Sequence, residues 1–175
     1  ILLNYLWIYM ALTEIMKKYH VAPAQINLEI TETAAAHSDM LENNIKILHK
    51  QGIEFSLDDY GSGYSNTDYL FRFPFRIVKI DKTILWEAFK NEKAMIALRN
   101  TIRMIKELGL EIVVEGVENQ EYVDYLTEQH CNYLQGYFYS KPIPDRDFLE
   151  LLRRENAQYY AERFSKNELS DIITT

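Results

Sequence analysis

Glu29, Asp58, Asp59, Lys79, Glu115 and Gln135 each stand at the end of a strand-like run. Carboxylates, an amide and an ammonium are the groups that hold divalent cations, activate water and face a phosphate. Where strands alternate with helices in a barrel, the C-terminal ends of the strands open onto one face. Acids gathered there repel one another unless something positive sits among them. Divalent cations and a phosphate substrate would supply that company, with Lys79 turned toward the phosphate.

Each position also has a plainer reading. Glu29, between Leu28 and Ile30, could be an exposed edge-strand glutamate, although Asn27 shares its face by the two-residue period. Asp58 and Asp59 are a stronger signal. Adjacent acids let one side chain bridge two cations while the next serves one of them, yet aspartate is also favoured in turns. Gly61-Ser62-Gly63 can turn backbone N–H groups toward an anion, but a lone Gly-x-Gly more often marks a loop that needs positive φ. Lys79 competes with an exposed strand lysine. Glu115 could bind metal or activate water, and Glu118 could orient a loop or face solvent. Gln135 could bond a ligand or be a satisfied core amide. Thr31 and Glu32 follow the first strand and could brace a neighbouring loop.

The rest of the inventory is quiet. His20, His37, His49 and His130 show no ligand spacing and read as surface residues. Cys131 is the single cysteine, so no internal disulfide forms, which fits a reducing cytoplasm; a small apolar residue before a strand describes it best. No Walker-type loop, Cys-x-x-Cys site or nucleophile elbow is present. The chain has 175 residues, 47% of them hydrophobic, and a net charge of -7. That is enough for one domain with a real core, and it argues against a duplex nucleic acid partner.

These side chains need a scaffold that alternates. Ile1 to Leu12 is apolar, interrupted by Asn4, too short to span a bilayer and without the basic start of a signal peptide. It leads into a helix ending near His20, and Asn4 is read as part of that helix. Ile26–Thr31, Ile53–Leu57, Arg76–Asp81, Glu111–Glu115 and Tyr133–Ser140 carry strand patterns. Between them Ser38 is a plausible N-cap, Ser65 or Asn66 could cap a short helix through Leu70, and Met95, Leu98, Ile102 and Ile105 mark a long helix closed by Gly109. Asn119 and Asp145 cap two more. This alternation predicts an α/β parallel sheet with crossover helices.

Taken in order, the segments resemble the EAL family of bacterial cyclic-di-GMP phosphodiesterases. Leu28-Glu29-Ile30-Thr31-Glu32 is similar to its E-[LI]-T-E segment, and Leu57-Asp58-Asp59-Tyr60-Gly61-Ser62-Gly63-Tyr64-Ser65 to its D-D-F-G-T-G-Y-S loop. Val78-Lys79-Ile80-Asp81 resembles the K-I-D strand, Val114-Glu115-Gly116-Val117-Glu118 resembles A-E-G-V-E, and Leu134-Gln135-Gly136-Tyr137 resembles Q-G-Y, with Pro142 at the later proline.

The resemblance implies a TIM-like (β/α) barrel, present here as a partial barrel of about five strands without its N-terminal elements. Residues 1–155 would be the C-terminal part of an EAL domain, and 156–175 a helical or disordered tail. It implies cleavage of one phosphodiester bond of cyclic-di-GMP to the linear dinucleotide, with Mg²⁺ or Mn²⁺. Glu29 would ligate one metal, Asp58 would bridge two, and Asp59 and Glu115 would serve the second. Glu115 would also be the general base. Lys79 would hold the attacking water or the phosphate. Gln135 and Pro142 would support site or substrate, and Glu32, Glu118, Gly61 and Gly63 would anchor the loop.

The Glu-Ala-Leu segment itself is absent from the 175 residues. The chain is therefore read as a fragment, inactive alone, of a cytoplasmic or upstream-anchored parent. Family members commonly dimerise and follow sensor or diguanylate-cyclase-like domains. A cyclic-di-GMP receptor or protein-interaction domain without catalysis is the alternative.

Overall fold

The computed structural model describes residues 2–35, 39–63 and 67–163. Ser38, His37, Ser65 and Asn66, named above, lie outside them. Helix α1 (Leu2–Tyr19) opens the chain and contains Asn4, and a short 3-10 turn covers Pro23–Gln25. Then come β1 (Asn27–Thr31), α2 (Glu32–Ala35), α3 (Asp39–His49), β2 (Glu54–Tyr60), α4 (Asp68–Arg72), β3 (Ile77–Ile80) and α5 (Lys82–Ala88). α6 (Glu92–Glu107), β4 (Glu111–Val114), α7 (Gln120–Glu128), β5 (Tyr133–Leu134) and α8 (Asp145–Arg163) complete it. Among the described residues no helix is long and apolar enough to cross a membrane.

The five strands form one parallel sheet in the order of the chain, β1-β2-β3-β4-β5. A parallel neighbour can be reached only by a crossover, and each crossover here carries helix. The fold is α/β with the strand order of a TIM-like barrel segment. The central strands are short and rich in β-branched residues: Ile77-Val78-Lys79-Ile80 and Glu111-Ile112-Val113-Val114. Leu57, Val78, Ile80, Ile112 and Val114 are fully buried. They meet Leu98, Ile102 and Ile105 of α6 and Leu126 of α7 in one core. The face of α6 is therefore the one its spacing predicts. Asn91 caps this helix through bonds from Lys93 N (2.8 Å) and Ala94 N (3.4 Å), and Asn119 caps α7 through Tyr122 N (3.0 Å).

Three elements depart from the sequence reading. β2 does not stop at Leu57 but runs on through both aspartates to Tyr60. β5 is only Tyr133–Leu134, because the chain turns from Gly136 to Tyr139 rather than staying extended. α5 was not expected. It starts where Asp81 accepts from Thr83 N at 2.9 Å, a local cap that the adjoining strand pattern masks.

Ile1–Tyr139 forms one compact unit and Ser140–Thr175 a second. Within the second, α8 begins at Asp145, whose carboxylate accepts from Arg146 N at 2.8 Å, and Phe148 N bonds Pro144 O at 2.9 Å. Pro142 belongs to this unit.

Candidate metal centre

Lys79 is the hub of the site. It sits on β3, the middle strand, and its ammonium reaches acids from three other strands or their ends. Nζ lies 2.9 Å from Glu29 Oε1, 2.8 Å from Asp58 Oδ1 and 3.0 Å from Glu115 Oε1. The lysine side chain is only 10% exposed, whereas Glu29 is 51% exposed. Burial opposes the charge on Lys79, but its close contacts with the Asp58, Glu29 and Glu115 carboxylates outweigh it and hold its pKa well above the usual lysine value.

Strand register explains why these residues meet. Thr31 pairs with Asp58, and Lys79 pairs with Val113 one step before the end of β4. Glu115 follows directly, its N–H bonded to Ile80 O at 3.0 Å. All of these residues therefore emerge at the same, C-terminal edge of the sheet.

Asp58 and Asp59 pose a geometric problem. Neighbours on a regular strand point to opposite faces. The ladder between β2 and β3 resolves it: Leu57 pairs with Val78 but Tyr60 pairs with Ile80, so three steps on β2 oppose two on β3. The extra residue is a β-bulge, and Asp59 takes φ +56° within it. Aspartate is among the few residues that tolerate this left-handed backbone. As a result, Asp58, Asp59 and Glu115 each bring a carboxylate oxygen within 4.8 Å of the others. Burial, and then the neighbouring charge of Asp58, push the Asp59 carboxyl above its ordinary pKa of 3.8.

The loop after β2 is fastened from the first residue of α2. Glu32 is 3% exposed, and its Oε2 accepts from Gly61 N at 3.1 Å. Its Oε1 is buried without a hydrogen-bond partner among the described residues. Gly61 has φ +90°, which strains any residue with a side chain, and a Cβ there would push aside Ile84 Cδ1, 2.0 Å away. Gln135 donates from Nε2 to Glu115 Oε1 at 3.4 Å. Asn27 Oδ1 accepts from Ser56 Oγ at 2.6 Å, on the expected face of β1 but one polar pair further from the acids.

The structure thus gathers Glu29, Asp58, Asp59, Lys79, Glu115 and Gln135, with Glu32 and Gly61 behind them. Glu118 and Gly63 are exposed. Pro142 lies in the second unit. His20, His49 and His130 are exposed, and Cys131 is a partly buried free thiol.

A hard divalent cation takes carboxylate oxygens. Three such oxygens converging at a sheet edge, with excess negative charge, fit Mg²⁺, Mn²⁺ or Ca²⁺. Among the described residues, Lys79 is the cation in contact with that cluster.

Comparison with known proteins agrees with this chemistry. The family described as EAL domain matches residues 3–142. The chain is 33% identical over 141 residues to the cyclic di-GMP phosphodiesterase RocR of Pseudomonas aeruginosa, covering 79% of this chain and 36% of RocR. The chain thus spans about a third of that relative's length. It superposes on the EAL domain of Mycobacterium smegmatis DcpA with a TM-score of 0.76 at 29% identity, over 83% of this chain and 66% of the other. Klebsiella pneumoniae BlrP1, solved as a manganese and cyclic-di-GMP complex, gives a TM-score of 0.71 at 27% identity, over 77% of this chain and 34% of the other.

Proposed function

Since the chain belongs to the EAL domain family, we propose that its acid cluster serves the hydrolysis of cyclic-di-GMP to the linear dinucleotide. The observation that carries this reading is the bulge-enabled convergence of Asp58, Asp59 and Glu115 around Lys79. Glu29, Asp58, Asp59 and Glu115 would hold Mg²⁺ or Mn²⁺. When bound, the metal supplies Lewis acidity and lowers the pKa of water.

The protein's own groups do the rest. Glu115 accepts the proton of the attacking water, and Gln135 steadies its carboxylate from the side. Lys79 donates N–H to the attacking water or to a phosphate oxygen, where its charge offsets the negative charge that builds in the transition state. In the metal-free chain three carboxylates hold its pKa above that of an ordinary lysine, which favours the charged form. One P–O bond forms to the water oxygen and one P–O bond to the sugar breaks, so the product gains one water. Glu32 holds the loop that carries Asp59 by bonding Gly61 N–H. In this reading Glu118 and Gly63 help anchor the same loop, and Pro142 supports the substrate.

The 175 residues alone should turn over little, because the Glu-Ala-Leu glutamate that the family uses as a ligand is not among them. A cytoplasmic setting, a dimer and a fused regulatory domain complete the proposal.

The deciding experiment is cyclic-di-GMP turnover with Mn²⁺ by the intact parent polypeptide beside its Glu115→Gln variant. Linear dinucleotide from the first and none from the second is the expected result. Tight binding by both without turnover would replace the enzyme with a receptor.

A further inference from the structure

Glu115 is the acid on which the proposed chemistry turns, yet it lies just beyond the end of β4, where no ladder holds its side chain. Its placement depends on the tripeptide Glu115-Gly116-Val117. Three backbone bonds pin the ends of that turn: Glu115 N to Ile80 O at 3.0 Å, Val117 N to Gln135 O at 3.1 Å, and Phe138 N to Val117 O at 3.0 Å. The middle carbonyl, Gly116 O, is held differently. It accepts the indole N–H of Trp86 at 2.8 Å.

Trp86 is on α5, the helix that starts immediately after the Lys79 strand. Its ring is fixed on one side by Lys82, whose ammonium stands 5.4 Å from the ring centroid. Gly116 adopts φ +70°, and a Cβ there would meet Lys82 Cβ at 2.3 Å. The turn and the helix are therefore in direct contact, with the Trp86 hydrogen bond inside that contact. Ile84, two residues before Trp86 on the same helix, closes on Gly61 in the loop that follows Asp59. α5 thus touches both segments that bring acids to the cluster.

We propose that Trp86 is a positioning residue for the metal centre. Its indole N–H orients the Gly116 peptide and, through it, sets the backbone direction from which the Glu115 carboxylate reaches Lys79 and the two aspartates. The proposal rests on the metal-centre reading given above. A phenylalanine would keep the ring packed on Lys82 but leave the Gly116 carbonyl without its donor, and the turn would rotate to find water.

The test uses the full chain in two measurements. Mn²⁺ affinity is read by the electron paramagnetic resonance signal of the free ion, for wild type, Trp86→Phe and Glu115→Gln. Amide exchange at Glu115 and Val117 is read by NMR at equal global stability. Trp86→Phe should weaken Mn²⁺ binding about tenfold, the lower end of what outer hydrogen bonds to metal ligands are worth. It should also speed exchange at Glu115 and Val117 while leaving Val78 and Ile112 unchanged, which a general loss of packing would not do.

Equal Mn²⁺ affinity for wild type and Trp86→Phe, with weak binding by Glu115→Gln, overturns the proposal and leaves the metal reading intact. A wild-type chain that binds no Mn²⁺ sinks the metal reading. The exchange comparison then decides about Trp86 alone, equal rates refuting its hold on the turn and faster rates confirming it. If Trp86→Phe does not fold, the wild type suffices. Adding Mg²⁺ should shift the Trp86 indole N–H resonance with the same midpoint as the Glu115 amide. A Trp86 signal that stays still while the Glu115 amide moves refutes the coupling.

Discussion

Strand β3 meets charge at both ends. Just before its N-terminus, Arg76 Nη2 lies 3.2 Å from a single carboxylate, Glu111 on the neighbouring strand, and the arginine side chain is half exposed. At its C-terminal end Lys79 is buried among Glu29, Asp58 and Glu115, with Asp59 beside them. The first arrangement is balanced, one half-exposed cation against one carboxylate, so losing the arginine should cost little. The second is unbalanced, and among the described residues the nearly buried lysine is the cation that contacts these acids. A few residues along one strand separate a pair that ties two strands together from a cluster held short of positive charge. That shortage is what supports the proposal that the second end binds a cation.

Removing the hub is the harshest way to test the contrast. Lys79→Met should cost about 3–5 kcal/mol of stability in urea, the usual consequence of leaving buried charges unpaired. Added Mn²⁺ should restore much of the loss, because a cation can then stand among the same oxygens. If the loss is small, or Mn²⁺ restores nothing, the acids are solvated and the two ends are alike.

Cys131 probes the N-terminal side of the sheet, where it packs beside the core just before β5. Burial pushes its thiol up from 9.0 to about 11, with Lys106 pulling weakly the other way. At pH 8 its alkylation by iodoacetamide should run about a hundredfold below that of an ordinary cysteine. Because the folded value is the higher one, this thiol stabilises the fold below pH 9, and that contribution is lost as pH rises from 9 to 11. Lys79 follows the same sign, its contribution intact below the ordinary lysine value of 10.5 and lost above it. An ordinary alkylation profile would show that burial does not govern that end.

Asp59→Asn should raise the urea midpoint of the metal-free chain at pH 7 while weakening Mn²⁺ binding. The folded pKa of Asp59 is raised, so its charged form costs stability above the ordinary value of 3.8, and asparagine removes the cost while tolerating φ +56°. The gain should vanish as pH falls below about 4. A midpoint that drops instead would mean the bulge needs the charge. The smallest effect belongs to Arg76→Ala, which should leave the urea midpoint nearly where it was. A loss like that of Lys79→Met would erase the comparison.

How much of this could be read from residues alone varies by level. The alternation of strands and helices was legible because the β-branched runs at Ile77 and Ile112 and the cap at Asn119 are local signals. The identity of the clustered residues was legible too, since each acid sits at the end of such a run. The way two adjacent aspartates come to serve one cluster was not. It depends on a register shift against β3, and register is a property of the pair of strands. Nor did sequence show that Lys79 bonds three acids at once, or that Glu32 is almost fully buried under Gly61. Trp86 went unnoticed because its partner is a backbone carbonyl 30 positions away, and a carbonyl leaves no mark in a sequence. Tyr133–Ser140 misled because its aromatic run has strand propensity, yet the chain turns there and Phe138 N–H returns to Val117.

The order of the strands in the sheet is the order in which a ribosome releases them. Glu29, Asp58 and Asp59 emerge first, 20 positions separate Asp59 from Lys79, and 36 more lead to Glu115. At about 5–20 residues per second, the first acids wait about one to four seconds for their cation, and the lysine then waits for its last partner. The cation at the centre of the finished cluster therefore arrives between its partners, after three of the acids and before the last.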